Sequence, residues 1–294
     1  MKNLIAVSML LTFAWTSAHA QTAYQTAIAA QNPQYNFHLD NTLVDSVGGT
    51  ATFTATGGGF ANDYYGSASS AAFFAATGDN LSLASPNIIS GSGTTTGIGS
   101  LSLLFFVPAA AVPGTQYLFS GGETTGGAAA GQPASSAFAL QYGTGTFTLK
   151  AGNKSITLPS PTLGSWNYFA ATWNLSLSGA GSGINWYLGQ AGGNTLNSGS
   201  LIKGGTGNIS TTATIGDAGT FVLGNKQNLA SPAGFNFGAG NPGVLDELST
   251  WNSQLSGSQI NDQFNSLIVP EPSTLALLGT GVMVLLGAHR KLRS

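Results

Sequence analysis

Apolar and polar residues alternate in short runs along most of the chain, and glycine closes nearly every run. Tyr35-Asn36-Phe37-His38-Leu39 has the period of two expected of a half-buried strand. Leu81-Ser82-Leu83 repeats that pattern, and Tyr117-Leu118-Phe119 is a further short strand. Leu101 to Val107 is almost wholly apolar, which predicts a mid-sheet strand covered on both faces. The runs at 137–142 and 146–149 are separated by Gly143-Thr144-Gly145, a hairpin signal. Trp166 to Trp173 predicts a long strand with Tyr168, Ala170 and Thr172 on one face and Phe169, Ala171 and Trp173 on the other. Runs at 184–188, 221–224 and 244–251 complete the set. Asp45-Ser46-Val47-Gly48-Gly49 is a turn, and the Gly- and Ala-rich stretch 124–133 predicts a mobile loop.

Two segments break the period of two. Residues 22–31 place Tyr24, Ala27 and Ile28 on one helical face, and Pro33 ends that helix. Near the other end, Ser256 stands three residues before Gln259 as a capping box, with Leu255 and Ile260 at the staple positions. Ile260, Phe264 and Leu267 form the stripe that this second helix buries. About a dozen short strands with two flanking helices predict an all-β fold: an antiparallel β-sandwich of the jelly-roll kind, one domain over residues 21–268.

The ends read differently. Lys2, the apolar stretch from Leu4 to Trp15 and Ala18-His19-Ala20 form a signal peptide over residues 1–20, cleaved between Ala20 and Gln21. After residue 268 come three parts: Val269-Pro270-Glu271-Pro272-Ser273, an uncharged apolar run over 274–288, and a basic end carrying Arg290, Lys291 and Arg293. The run is short for a bilayer, which takes roughly 20 apolar residues, but its basic flank suits a membrane helix with a cytoplasmic C-terminus. This order resembles the PEP-CTERM sorting signal of Gram-negative bacteria, with Pro270, Glu271 and Pro272 as its motif. The resemblance implies transient insertion in the inner membrane and cleavage by an exosortase-type protease. It also implies export to the cell surface or extracellular matrix.

Composition sharpens this. Only 6% of the chain is charged, against about 25% in typical soluble domains. Between residues 21 and 268 there are four lysines, no arginine and nine carboxylates, a net charge of −5. That excludes a nucleic-acid footprint, which needs clustered Lys and Arg. No cysteine is present, so disulfides, thiol nucleophiles and thiolate metal sites are all excluded.

Several segments, in order, resemble bacterial LamG-like (concanavalin A-like) domains. The opening carries Tyr24, Ala27, Pro33, Tyr35, Phe37 and Asp45-Ser46-Val47-Gly48. The centre carries Trp166, Ala170, Ala171, Thr172 and Trp173, followed by Trp186-Tyr187-Leu188-Gly189. The close carries Gly243-Val244-Leu245-Asp246-Glu247-Leu248, then Leu255-Ser256 and Ile260. Leu188 stands where the family has a polar residue, and Ser249 where it has arginine. The resemblance implies a concanavalin A-like jelly roll and the binding of an extracellular polysaccharide or another matrix component. A structural matrix protein without a ligand and a glycoside hydrolase or lyase are the alternatives.

Candidate chemistry is sparse. His38 is the one histidine between residues 21 and 268, and a lone strand histidine is usually structural. Glycosidases need two carboxyl groups facing each other across a cleft, ~5–10 Å apart. Asp246 and Glu247 are adjacent, and on a regular strand they point to opposite faces, so catalytic residues are not expected. LamG-like and pentraxin-like relatives imply a structural calcium ion at Asp79, Asn80 and Asp246; the alternative is that Asp79-Asn80 makes a turn. Tyr64 and Tyr65 lie in a loop by composition and are the candidate ligand-binding pair for stacking on sugar rings, unless they pack over a sheet end.

Overall fold

The computed structural model describes residues 21, 23–49, 51–84, 97–109, 114–121, 138–143, 145–151, 154–175, 183–202, 220–226, 234–237 and 241–267. The expected signal peptide with Ala20, the loop at 124–133, the Pro270-Glu271-Pro272 motif and the membrane helix at 274–288 lie outside the described residues.

Two antiparallel sheets face each other. The first runs in the order β13 (Leu196–Ile202), β12 (Gly183–Gln190), β11 (Ser165–Asn174), β6 (Ile98–Val107), β15 (Gly243–Trp251), β4 (Ala71–Phe74) and β3 (Gly59–Ala61), with an eighth strand, β1 (Tyr35–Phe37), also paired to β15. The second runs β10 (Lys154–Leu158), β9 (Thr146–Ala151), β8 (Phe138–Gly143), β7 (Gln116–Gly121), β14 (Thr220–Leu223), β5 (Asn80–Ala84) and β2 (Thr54–Thr56). The nearly continuous apolar run of β6 has its cause here: it lies between β11 and β15 and is buried at almost every position.

β11 shows how the sequence sorts itself. Phe169, Ala171 and Trp173 enter the core between the sheets, while Tyr168 and Ala170 join a second cluster on the outer face. In the core, Trp173 packs on Phe138 at 5.3 Å between ring centroids and Phe169 on Phe119 at 6.0 Å. The outer cluster lies under two helices, α1 over residues 23–29 and α2 over Gly257–Ser266. The Ser256–Gln259 capping box forms at the start of α2. Its Ile260 and Phe264, with Tyr24 and Ile28 of α1, are at most 1% exposed. Burial of this kind stabilises by about 1.5–3 kcal/mol per large side chain. A polar chain ties the two helices: the Tyr168 hydroxyl donates to Gln263 Oε1 (2.6 Å), and Gln263 Nε2 donates to Gln31 Oε1 (2.6 Å).

The strands that alternation did not predict are β2, β3, β4, β10 and β13. β2, β3, β10 and β13 end their sheets, and β13 is built largely of Asn, Ser and Gly, so it carries little apolar alternation to read.

Along one edge of β15 the ladder is shared. β4 pairs with residues 243–245 and β1 with 248–250. Between them the register of β15 against β6 shifts, and Glu247 takes a left-handed φ of +51°. This is a β-bulge, one extra residue that re-aims its side chains.

Candidate functional site

A shallow cleft of about 210 Å³ opens where the 159–164 loop meets the β12–β13 turn. Ser160, Thr162, Gln190, Asn194, Thr195 and Asn197 line it with exposed, uncharged hydrogen-bonding groups. Both walls are held from below. Buried Asn167 accepts from the Thr162 amide (2.9 Å) and donates to the carbonyls of Thr162 (3.0 Å) and Ser165 (2.9 Å). On the other wall, the Gly193 amide donates to Gln190 O (2.9 Å), and Gly192 adopts φ +76°. A Cβ at Gly192 would stand 2.8 Å from the Tyr64 hydroxyl, so glycine there serves both the turn and the close approach. Pockets for drug-sized molecules are larger, at about 300–1,000 Å³. This cleft is smaller, and it presents amide and hydroxyl hydrogen-bonding groups.

Tyr64 and Tyr65 stand next to this region in the packing role that was the alternative to sugar stacking. Tyr65 is 8% exposed and belongs to the outer cluster. Tyr64 is half-buried, meets Tyr65 and Trp166 edge-on at 4.9 and 6.5 Å, and donates its hydroxyl to Leu267 O (3.0 Å). The pair packs over the sheet, and Tyr64 backs the glycine turn of the cleft.

The structure places the expected calcium ligands in different sheets. Asp79 precedes β5 in the seven-stranded sheet, whereas Asp246 is on β15 of the other sheet. Asp79 Oδ2 accepts from the amides of Ala75 and Ala76, both at 2.8 Å, and Asn80 Nδ2 donates to Gly78 O (2.9 Å). That carboxylate staples its own turn, as Asp45 does by accepting from the amides of Asn36, Val47 and Gly48.

The expectation that Asp246 and Glu247 point to opposite faces fails, because the bulge suspends the strand period. Both are 1% exposed and close enough for their charges to interact, and the Glu247 amide donates to Asp246 Oδ1 (2.9 Å). His38 Nδ1 lies 2.8 Å from Glu247 Oε2. Burial works against a charged ring there, but the hydrogen bond and charge of Glu247 outweigh it, and the His38 pKa is raised. Residues that sequence reasoning did not single out complete the site: the amide-rich β12–β13 turn, and Asp40 and Asp63 beside Glu247. The first is visible as an Asn- and Gly-rich turn, while the second needs the tertiary fold.

Residues 269–291 match the PEP-CTERM protein-sorting motif. This is a signal for export to the cell surface or extracellular space in Gram-negative bacteria. In structure the chain is similar to the botulinum neurotoxin serotype D binding domain, with TM-score 0.57 and 14% identity over 83% of this chain and 53% of that one. It is also similar to that serotype's ligand binding domain in complex with N-acetylneuraminic acid (TM-score 0.55, 14% identity, 83% and 53% covered). The receptor binding domain of the C/D mosaic serotype gives TM-score 0.54 at 15% identity, with 81% and 52% covered. The chain thus spans about half the length of these structures, and the likeness is one of fold: a two-sheet antiparallel sandwich. No curated protein matches the chain in sequence.

Proposed function

We propose that residues 21–268 form a LamG-like, non-catalytic binding module of the extracellular matrix, released by an exosortase-type protease, and that its cleft holds a neutral polysaccharide. The observation that carries this reading is the cleft's lining of six exposed, uncharged hydrogen-bonding side chains on two stapled walls. Sugar hydroxyls are matched by such donors and acceptors, and no charge has to be desolvated on contact. The sorting motif supports an extracellular setting. The non-catalytic reading rests on carboxylate placement. Asp246 and Glu247 are buried beside His38, away from the residues that line the cleft.

Affinity electrophoresis of the processed domain through gels containing neutral polysaccharides tests this. Retardation is expected, and Asn194→Ala with Asn197→Ala should reduce it at least tenfold, with no change in melting temperature. Equal mobility in every polymer would leave a structural matrix protein, and release of reducing ends would make it a hydrolase.

A further inference from the structure

The four strands that end the two sheets are not equally protected. An end strand leaves one row of backbone amides and carbonyls without a ladder, and folded chains blunt such rows with short strands, lysine or proline. β2 and β3 have three residues each. β10 has five, begins at Lys154 and is followed by Pro159 and Pro161. β13 has none of these devices. It runs for seven residues, Leu196-Asn197-Ser198-Gly199-Ser200-Leu201-Ile202, with no charge and no proline, and the next charge in sequence, Lys203, comes after it. β12 pairs with one side of it along its whole length, and among the described residues no strand pairs with the other side.

The side chains of β13 read alike from both ends. Leu201 enters the core between the sheets, which puts Asn197 and Gly199 on that inner face and Leu196, Ser198, Ser200 and Ile202 on the outer one. Glycine at 199 makes room for Trp186, since a Cβ there would stand 2.6 Å from the indole ring. An antiparallel partner of the same sequence, centred on Gly199, sets Leu196 against Ile202 and Ser198 against Ser200. Apolar then meets apolar at the two ends and hydroxyl meets hydroxyl between them, pairings that stabilise a sheet. The mixed pair, Asn197 against Leu201, falls on the inner face. Moving the centre to Ser198 would set Leu196 against Ser200, and moving it to Ser200 would set Ser198 against Ile202. Ser198 and Ser200 are exposed and Ile202 is 37% exposed, so such a partner covers surface that faces water. With no charge on the strand, a second copy meets no like charge across the two-fold axis.

We propose that β13 is a homotypic docking edge: two copies of the chain pair β13 to β13, antiparallel about Gly199, and their eight-stranded sheets run on as one. A second copy is the occupant because the strand is its own complement in one register. The pairing has a consequence for the cleft. Asn194 and Thr195 stand just before β13, so the clefts of the two copies lie toward opposite ends of the joined strands, roughly 30 Å apart at about 3.4 Å per residue. A polymer chain that reached both would be held by avidity. The pairing itself does not depend on what the cleft binds.

The test is sedimentation equilibrium of the full chain in density-matched detergent, with charges placed where the register sets residues opposite each other. The wild-type chain should dimerise. A single strand pair is a small contact, so a Kd of about 10–100 µM is expected. Ser198→Lys with Ser200→Lys sets lysine against lysine twice and should raise that Kd about tenfold or more. Ser198→Lys with Ser200→Glu sets lysine against glutamate twice and should return the Kd to the wild-type value or below it. Neither variant alters a residue that lines the cleft, so loss of pairing and loss of sugar binding are read separately. Hydrogen exchange of the wild-type chain decides without any variant: protection across β13 should rise with protein concentration. A chain still monomeric at about 1 mM, ten times the weakest expected Kd, overturns the proposal. So does a dimer that the lysine pair leaves intact, as the apolar run over 274–288 could hold, or exchange at β13 that ignores concentration.

Discussion

Asp79 and Asp246 are both buried aspartates at the end of a strand or within one, and they do opposite things. Asp79 has two amides at 2.8 Å on one oxygen, so its charge is spent on closing the β4–β5 turn. Asp246 has one amide on one oxygen and nothing on the other, with three more carboxylates around it. Burial alone therefore does not make an aspartate a staple; the amides that answer it do.

The contrast can be broken by substitution. Asp79→Ala should have the largest effect, a loss of about 2–4 kcal/mol, because two amides lose a charged partner. Chemical denaturation would measure it, and a loss below that range would mean that the turn closes without its staple. Gly57→Ala strikes the same staple from outside. A Cβ there would lie 2.0 Å from Asp79 Oδ1 at a backbone φ of +67°, so a loss of about 1–3 kcal/mol is expected.

Tyr168 provides an answered hydroxyl to set against the unanswered ones of Tyr24 and Tyr65. Tyr168→Phe should cost about 1–2 kcal/mol, since Gln263 Oε1 loses its donor. Burial first of all raises the Tyr168 pKa well above 10. A raised folded-state value means that this stability is complete below the unfolded value of about 10 and drains away as pH climbs above it. Tyrosinate absorbance and loss of β-sheet circular dichroism should accordingly rise together in alkali. Tyrosinate appearing well before unfolding would show a looser outer face than the structure has. The smallest effect is expected of Asp246→Asn. Stability should change by about 1 kcal/mol or less, because the lost charge was opposed by its neighbours. A drop as large as that of Asp79→Ala would erase the distinction between the two aspartates.

Much of this fold was legible because burial enforces period. The two faces of β11, the hairpin of β8 and β9, the Asp45 turn and the Ser256 cap are all read from a few adjacent residues. The carboxylate cluster around Asp246 was not legible for the same reason. Val244-Leu245-Asp246-Glu247-Leu248 reads as an ordinary strand, and its bulge exists because β4 and β1 divide one edge of β15. Asp40 and Asp63 are 206 and 183 residues away from Asp246, and only the sandwich makes them neighbours. Which carboxylate finds amides and which does not is decided at that level.

The scarcity of lysine has a consequence for life outside a cell. Trypsin-like proteases cut after lysine and arginine, and residues 21–268 offer them Lys150, Lys154, Lys203 and Lys226. The first two sit within paired strands, and Lys226 is 8% exposed. At these three described positions the folded domain gives such enzymes little purchase. Even when it is denatured, no tryptic site lies between Gln21 and Lys150.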